Sequence, residues 1–110
     1  EAAIRYYHAL KKADPDKYKF DNEWELNRLG YALLADKRFE DAIKVFDLLI
    51  SEFPQRPNPY DSRGEAYYLM GAHQESIASY EEALKVDPNY NTEWIKQMIE
   101  KNKQALAVEK

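Results

Sequence analysis

Displaced by 34 residues, this chain falls back on itself. Gly30 lands on Gly64, Pro54 on Pro88, Phe46 on Tyr80, Ile43 on Ile77, Leu33 on Tyr67 and Leu26 on Tyr60, with no gap. A second step of 34 carries Tyr60 onto Trp94. A fixed period of this size marks a stacked array, in which each unit buries its apolar face only against its neighbours. Leu26, Leu29, Gly30 and Leu33 follow the i, i+3, i+4, i+7 spacing of one helix face, and so do Tyr60, Arg63, Gly64 and Tyr67. The predicted fold class is therefore all-α. With 3 Gly in 110 residues and 45% hydrophobic residues, the chain is too poor in Gly for a turn-rich β fold and too apolar for disorder.

The unit resembles the tetratricopeptide repeat (TPR), a helix–turn–helix of this length with the pattern W-x2-L-G-x2-Y, then A-x3-F, then P. One copy, 23–56, reads Leu26, Leu29-Gly30, Leu33, Ala42, Phe46, Pro54. The next, 57–90, reads Tyr60, Arg63-Gly64, Tyr67, Ser76, Tyr80, Pro88, with Arg63 in place of the usual Leu and Ser76 in place of Ala. The ends are partial copies. Ala3, Tyr7 and Pro15 repeat the spacing of Ala42, Phe46 and Pro54, so 1–15 reads as the second helix of a half repeat. Residues 91–110 read as a closing helix, with Gln97 and Met98 replacing Leu-Gly. This gives a solenoid of about six helices in a single domain. Pro15 to Leu26 is 11 residues, against 6 from Pro54 to Tyr60, which marks 16–22 as an insertion loop. It is either a surface insertion, with Tyr18 and Phe20 tucked onto the flanking helices, or a contact to a neighbouring domain.

Local signals punctuate the units. Asn58-Pro59 reads as an N-cap followed by Pro at the first helical position, and Asn22 with Glu25 as a capping pair. Pro54 and Pro88 stop the second helices. Gly71 suits a left-handed turn, where the first repeat has Lys37. Gly30 and Gly64 disfavour a helix by about 1 kcal/mol each relative to Ala, which calls for a compensating close approach. The expected neighbours are the small residues Ala42 and Ser76, and Gly64→Leu is expected to unfold the array.

A second face of each first helix carries Asn27, Tyr31 and Leu34, then Asp61, Glu65 and Tyr68, then Ile95, Ile99 and Asn102. The TPR resemblance implies that this face lines a concave groove. Of the net charge of −4, residues 57–90 hold all of it, with 2 basic and 6 acidic residues. The candidate binding residues are Trp24, Asn27, Tyr31, Asp61, Glu65 and Tyr68. An aromatic and acidic groove favours a protein or peptide with Lys or Arg and an apolar anchor. TPR domains that hold the acidic tails of heat-shock chaperones use Lys, Arg and Asn on this face. Here Asn27 and Tyr31 stand in those places, and Asp61 and Glu65 would repel a carboxylate.

Catalysis finds no foothold. There are no cysteines and 2 histidines: His8, and His73 at the position of Phe39, where it reads as a packing substitute. No nucleophile elbow, S-x-x-K or Gly-rich phosphate loop occurs. Glu81 and Glu82 are adjacent on a helix and diverge, and Asp14 and Asp16 around Pro15 make a poor metal site. No metal, cofactor or enzymatic activity is expected. Nine tyrosines without a basic groove do not make a nucleic-acid surface, since Tyr7, Tyr60, Tyr67 and Tyr80 fall on repeat core positions. No apolar run reaches the ~18 residues of a membrane span.

The strings ELNRLGYALL and FPQRPNPYDSRGEAYYLMG are similar to a TPR module at the C-terminal end of some bacterial serine hydrolases, esterase-like or β-lactamase-like. That resemblance implies a piece beginning at Glu1 just after a hydrolase domain, in bacterial cytoplasm or periplasm, with no catalytic residue in this chain. The leading expectation is an interaction module; the alternatives are a domain docking on its own upstream hydrolase, or a structural or self-associating module.

Overall fold

The computed structural model describes residues 23–109, apart from the side chains of Trp24 and Glu109. Its elements are α1 (Glu23–Ala35), α2 (Phe39–Glu52), α3 (Asn58–Leu69), α4 (His73–Val86) and α5 (Thr92–Glu109). The described residues thus form five helices and no strand. The helix expected over 1–15, the loop 16–22, Asn22 and His8 lie outside the described residues. Each helix packs on its neighbours in the chain, α1 on α2, α2 on α3, α3 on α4 and α4 on α5. This nearest-neighbour stacking is what a repeat array requires.

The two helical pairs turn in the same way. At the end of α1, the Lys37 N–H donates to the Leu34 carbonyl (2.9 Å) and the Arg38 N–H to that of Leu33 (2.9 Å). At the end of α3, Gly71 donates to Tyr68 (3.1 Å) and Ala72 to Tyr67 (2.9 Å). Both are Schellman closures, which put the residue after the helix in the left-handed region. Gly71 takes φ +84° freely, whereas Lys37 is held there at φ 61°.

The helix glycines do mark close approach, but their neighbour is an aromatic ring. A Cβ on Gly30 would sit 2.5 Å from Phe46 Cε1, and one on Gly64 would sit 2.9 Å from Tyr80 Cδ2. Ala42 and Ser76 are buried beside these wedges, and Ser76 Oγ donates to the Gly64 carbonyl at 2.7 Å. The notch therefore accommodates a ring, with the small residue as its flank.

Asn58 does not cap α3. It is the first residue of the helix, makes no capping bond, and follows Pro57, which is itself helical at φ −73°, ψ −26°. Its amide oxygen instead accepts from Tyr90 Oη at 3.3 Å.

Leu26, Leu33, Leu34, Ala42, Ile43, Val45, Phe46, Leu49 and Ala66 form one core, and Tyr60, Tyr80, Ala83, Ile95 and Met98 another. Met98 stands where Gly30 and Gly64 stand in the repeats and is buried. The outer side of α5 carries exposed Lys96, Glu100, Lys101 and Lys103. His73 packs at the seam with α5, edge-on to Tyr68 with ring centroids 5.8 Å apart. It also joins a polar relay. Asn102 donates to the Met98 carbonyl (2.8 Å) and to Ser76 Oγ (3.0 Å), so its Oδ1 is the acceptor, and His73 Nδ1 donates to it at 2.8 Å.

Candidate protein-binding face

Tyr31 is on α1, and Asp61, Glu65 and Tyr68 are on α3. The helical spacing 61, 65, 68 sets the last three along one face. Tyr31 is tied to that helix by a 2.8 Å hydrogen bond between its hydroxyl and Ser62 Oγ. Its ring meets Phe46 edge-on at 5.7 Å, and the residue remains 38% exposed. Asn27, one turn before Tyr31, is half-buried, and its Oδ1 is buried without a partner among the described residues. Nothing is described of the Trp24 side chain.

The other positions on this face are not open. Leu34, Ile95 and Asn102 are buried, and Asp61 is only 8% exposed. Asn91, in a left-handed conformation at φ 46°, turns the chain into α5 and brings its Nδ2 to 3.5 Å from Asp61 Oδ2. Burial raises the Asp61 carboxyl above the usual carboxylate range, while hydrogen bonding from Asn91, Trp94 and Tyr90 opposes the rise. The Tyr90 phenol is in turn pushed up to about 12, by burial first and then by the Asp61 charge. This face thus has a cover over one of its two carboxylates.

Glu65 is the open one. It is half-buried and has no hydrogen-bond or ion-pair partner among the described residues. Burial and the Asp61 charge both raise its pKa, and nothing opposes them. The two cations of this repeat, Arg63 and Lys85, are elsewhere. Arg63, 17% exposed at its side chain, ion-pairs with Asp47 of α2 (2.8 Å) and with Glu82 of α4, and its Nε donates to Ser79 Oγ at 3.0 Å. Lys85 lines a separate shallow depression with Ile50, Tyr60, Glu82 and Val86. Arg63 therefore stitches three helices together, a role hidden in sequence because its partners lie 16 and 19 residues away.

A further group bears on the face from behind. Tyr80 of α4 is fully buried, its ring against Gly64 and its hydroxyl without a partner among the described residues. Its phenol is raised by burial and then by Asp61, Glu65, Tyr31 and Tyr68, all residues of this face. The repeat pattern reads Tyr80 as core and gives no sign of this. Among the described residues no group of three or more His, Asp or Glu is placed to hold a metal ion. No helix there is long and apolar enough to cross a membrane.

Comparison with known proteins agrees with this architecture. Two models described as tetratricopeptide repeat match residues 28–56 and 62–90, together just over half of the chain. The chain is 31% identical over 70 residues to an Aspergillus fumigatus heat-shock protein cognate co-chaperone, sgt12, a stretch that is 64% of this chain and 20% of that protein. It is 31% identical over 62 residues to tetratricopeptide repeat protein 36 of Caenorhabditis elegans, covering 56% of this chain and 35% of the relative. The chain thus spans about a third or less of the curated relatives it matches. The solved first TPR domain of human RPAP3 superposes with a TM-score of 0.73 at 25% identity, covering 96% of this chain and 78% of that one. The period of 34, the paired glycine notches and these matches agree: the chain belongs to the tetratricopeptide repeat family.

Proposed function

We propose that this chain is a protein-interaction module that binds a protein or peptide through the face built on Trp24, Asn27, Tyr31, Asp61, Glu65 and Tyr68, read from the family as its concave side. Glu65 carries the reading: it is a partly buried carboxylate with no cation among the described residues to neutralise it. A partner presenting Lys or Arg would fill that role, and the exposed rings of Tyr31 and Trp94 offer an apolar seat beside it. Likeness to an HSC co-chaperone does not carry a carboxylate-binding role to this chain, because Asp61 and Glu65 would repel a carboxylate.

The test is retention of partners from a lysate of the source cells by wild type and by Asp61→Lys/Glu65→Lys, after circular dichroism shows both to be folded. A protein held by wild type and lost from the variant supports the reading, and equal retention sinks it. The alternative is docking onto another domain of the same polypeptide. It draws support from the relatives, in which the matched stretch is 20% and 35% of a longer protein, and from the resemblance to modules of bacterial hydrolases. In that case the isolated chain retains nothing, and charge reversal alters the stability or activity of the parent chain.

A further inference from the structure

We infer that Tyr80 is a hidden binding residue of this face, and that the group it serves is a guanidinium or ammonium carried by the ligand; the inference rests on the proposed acidic groove. Two buried side-chain atoms are without hydrogen-bond partners among the described residues, Tyr80 Oη and Asn27 Oδ1. Both belong to this face: Asn27 lies on it directly, and Tyr80 enters through the Gly64 notch. Both are oxygens with lone pairs to offer, and the nearby charged groups, Asp61 and Glu65, are acceptors when ionised. The Tyr80 hydroxyl can also donate, but Asn27 Oδ1, Asp61 and Glu65 can only accept, and a site so dominated by acceptors calls for a ligand rich in donors. Ammonium offers three N–H groups and guanidinium five, enough to meet Glu65 and Tyr80 together.

The sister repeat supplies the control. Phe46 occupies the same wedge against Gly30, so the fold accepts a ring there without a hydroxyl. The Tyr80 hydroxyl is an added polar group that the free protein leaves unsatisfied, at a cost to its stability. Tyr80→Phe therefore separates folding from binding: it should melt higher than wild type by about 4 °C or more and bind the cation more weakly.

The experiment is an NMR titration of isotope-labelled chain with N-acetyl-arginine amide and N-acetyl-lysine amide. N-acetyl-norleucine amide and N-acetyl-glutamate amide are the neutral and anionic controls. Wild type should show saturable shifts at the amides of Gly64, Glu65 and Tyr68 with the cations only. Glu65→Gln should abolish them, and Tyr80→Phe should weaken binding at least about threefold while remaining folded. Loss of binding in Glu65→Gln with full binding in Tyr80→Phe overturns the role of Tyr80 and leaves the groove reading standing. No saturable shift in wild type, or equal shifts with norleucine or glutamate, overturns both.

Discussion

The two full repeats share one backbone plan and differ in what lines it. In the first, α1 and α2 bury Leu26, Leu33, Leu34, Ile43, Val45, Phe46 and Leu49. In the second, α3 and α4 bury Asp61, Ser62, Ser76 and Ser79 alongside Tyr60 and Tyr80. Phe46 becomes Tyr80, Ala42 becomes Ser76, Leu29 becomes Arg63, and Asn27 becomes Asp61. The first three changes put a polar or charged atom into the second repeat at a place where the first shows the fold does not need one, and the fourth exchanges a neutral amide for a carboxylate. Buried polar atoms are costly unless paired. Ser76 and Arg63 are paired; among the described residues Tyr80 Oη is not, and Glu65 has no counter-charge. The first repeat is the more apolar half, and the second carries the polar groups that its neighbours do not fully satisfy.

The comparison breaks most easily at the notches. Gly30→Ala and Gly64→Ala push a methyl into a ring, at 2.5 and 2.9 Å respectively. The first should lose about 3 kcal/mol and the second about 2, by urea denaturation, with Gly64→Leu unfolded outright. Equal tolerance of both would refute the wedge account. Next comes the stitch across three helices. Arg63→Ala removes the largely buried stem of Arg63 from between the helices as well as its ion pairs, and should cost about 2 kcal/mol. Arg63→Leu restores the apolar residue of the first repeat and should fall within about 1 kcal/mol of wild type, because both acidic partners are half-exposed and keep their water. A large loss in Arg63→Leu would show the ion pairs to be required.

Acid–base linkage sharpens the contrast further. Asp61 and Glu65 are both raised in the folded chain, by burial first and, for Glu65, by the charge of Asp61. Folding then favours their protonated forms. That contribution is complete below the unfolded carboxylate range and is lost as pH rises through the folded values. Asp61→Asn/Glu65→Gln should therefore melt higher than wild type near pH 7, with the gap closing towards about pH 3. A variant that melts lower at neutral pH would contradict the strain assigned to these groups. The smallest effect belongs to the turns. Lys37→Gly relieves φ 61° and should gain up to about 1 kcal/mol, and Gly71→Ala should lose a similar amount, since nothing lies within 4 Å of its Cβ and only the backbone objects.

Much of this was legible in the chain, because a repeat compares itself with itself. The period located Gly30 and Gly64, the left-handed turns at Lys37 and Gly71, and the closing helix α5. It misjudged what the glycines face, since a ring reaching across from the next helix leaves no trace in local spacing. It placed an N-cap at Asn58 that the helical Pro57 and the distant Tyr90 displace. On the proposed face it placed Tyr31, Asp61, Glu65 and Tyr68 but could not foresee the cover over Asp61, which depends on how Asn91 turns the chain. Arg63 and Tyr80 escaped for the same reason: their partners sit on other helices, at separations that no helical period links.

Met98 occupies the place of the two notch glycines and fills it with a side chain. In the language of polymer growth, Gly30 and Gly64 are couplers, each accepting the ring of a following helix, and Met98 is a chain terminator. A helix laid after α5 in the manner of α2 or α4 would find no slot for its aromatic. Grafting further repeats at that end therefore begins with a glycine at position 98.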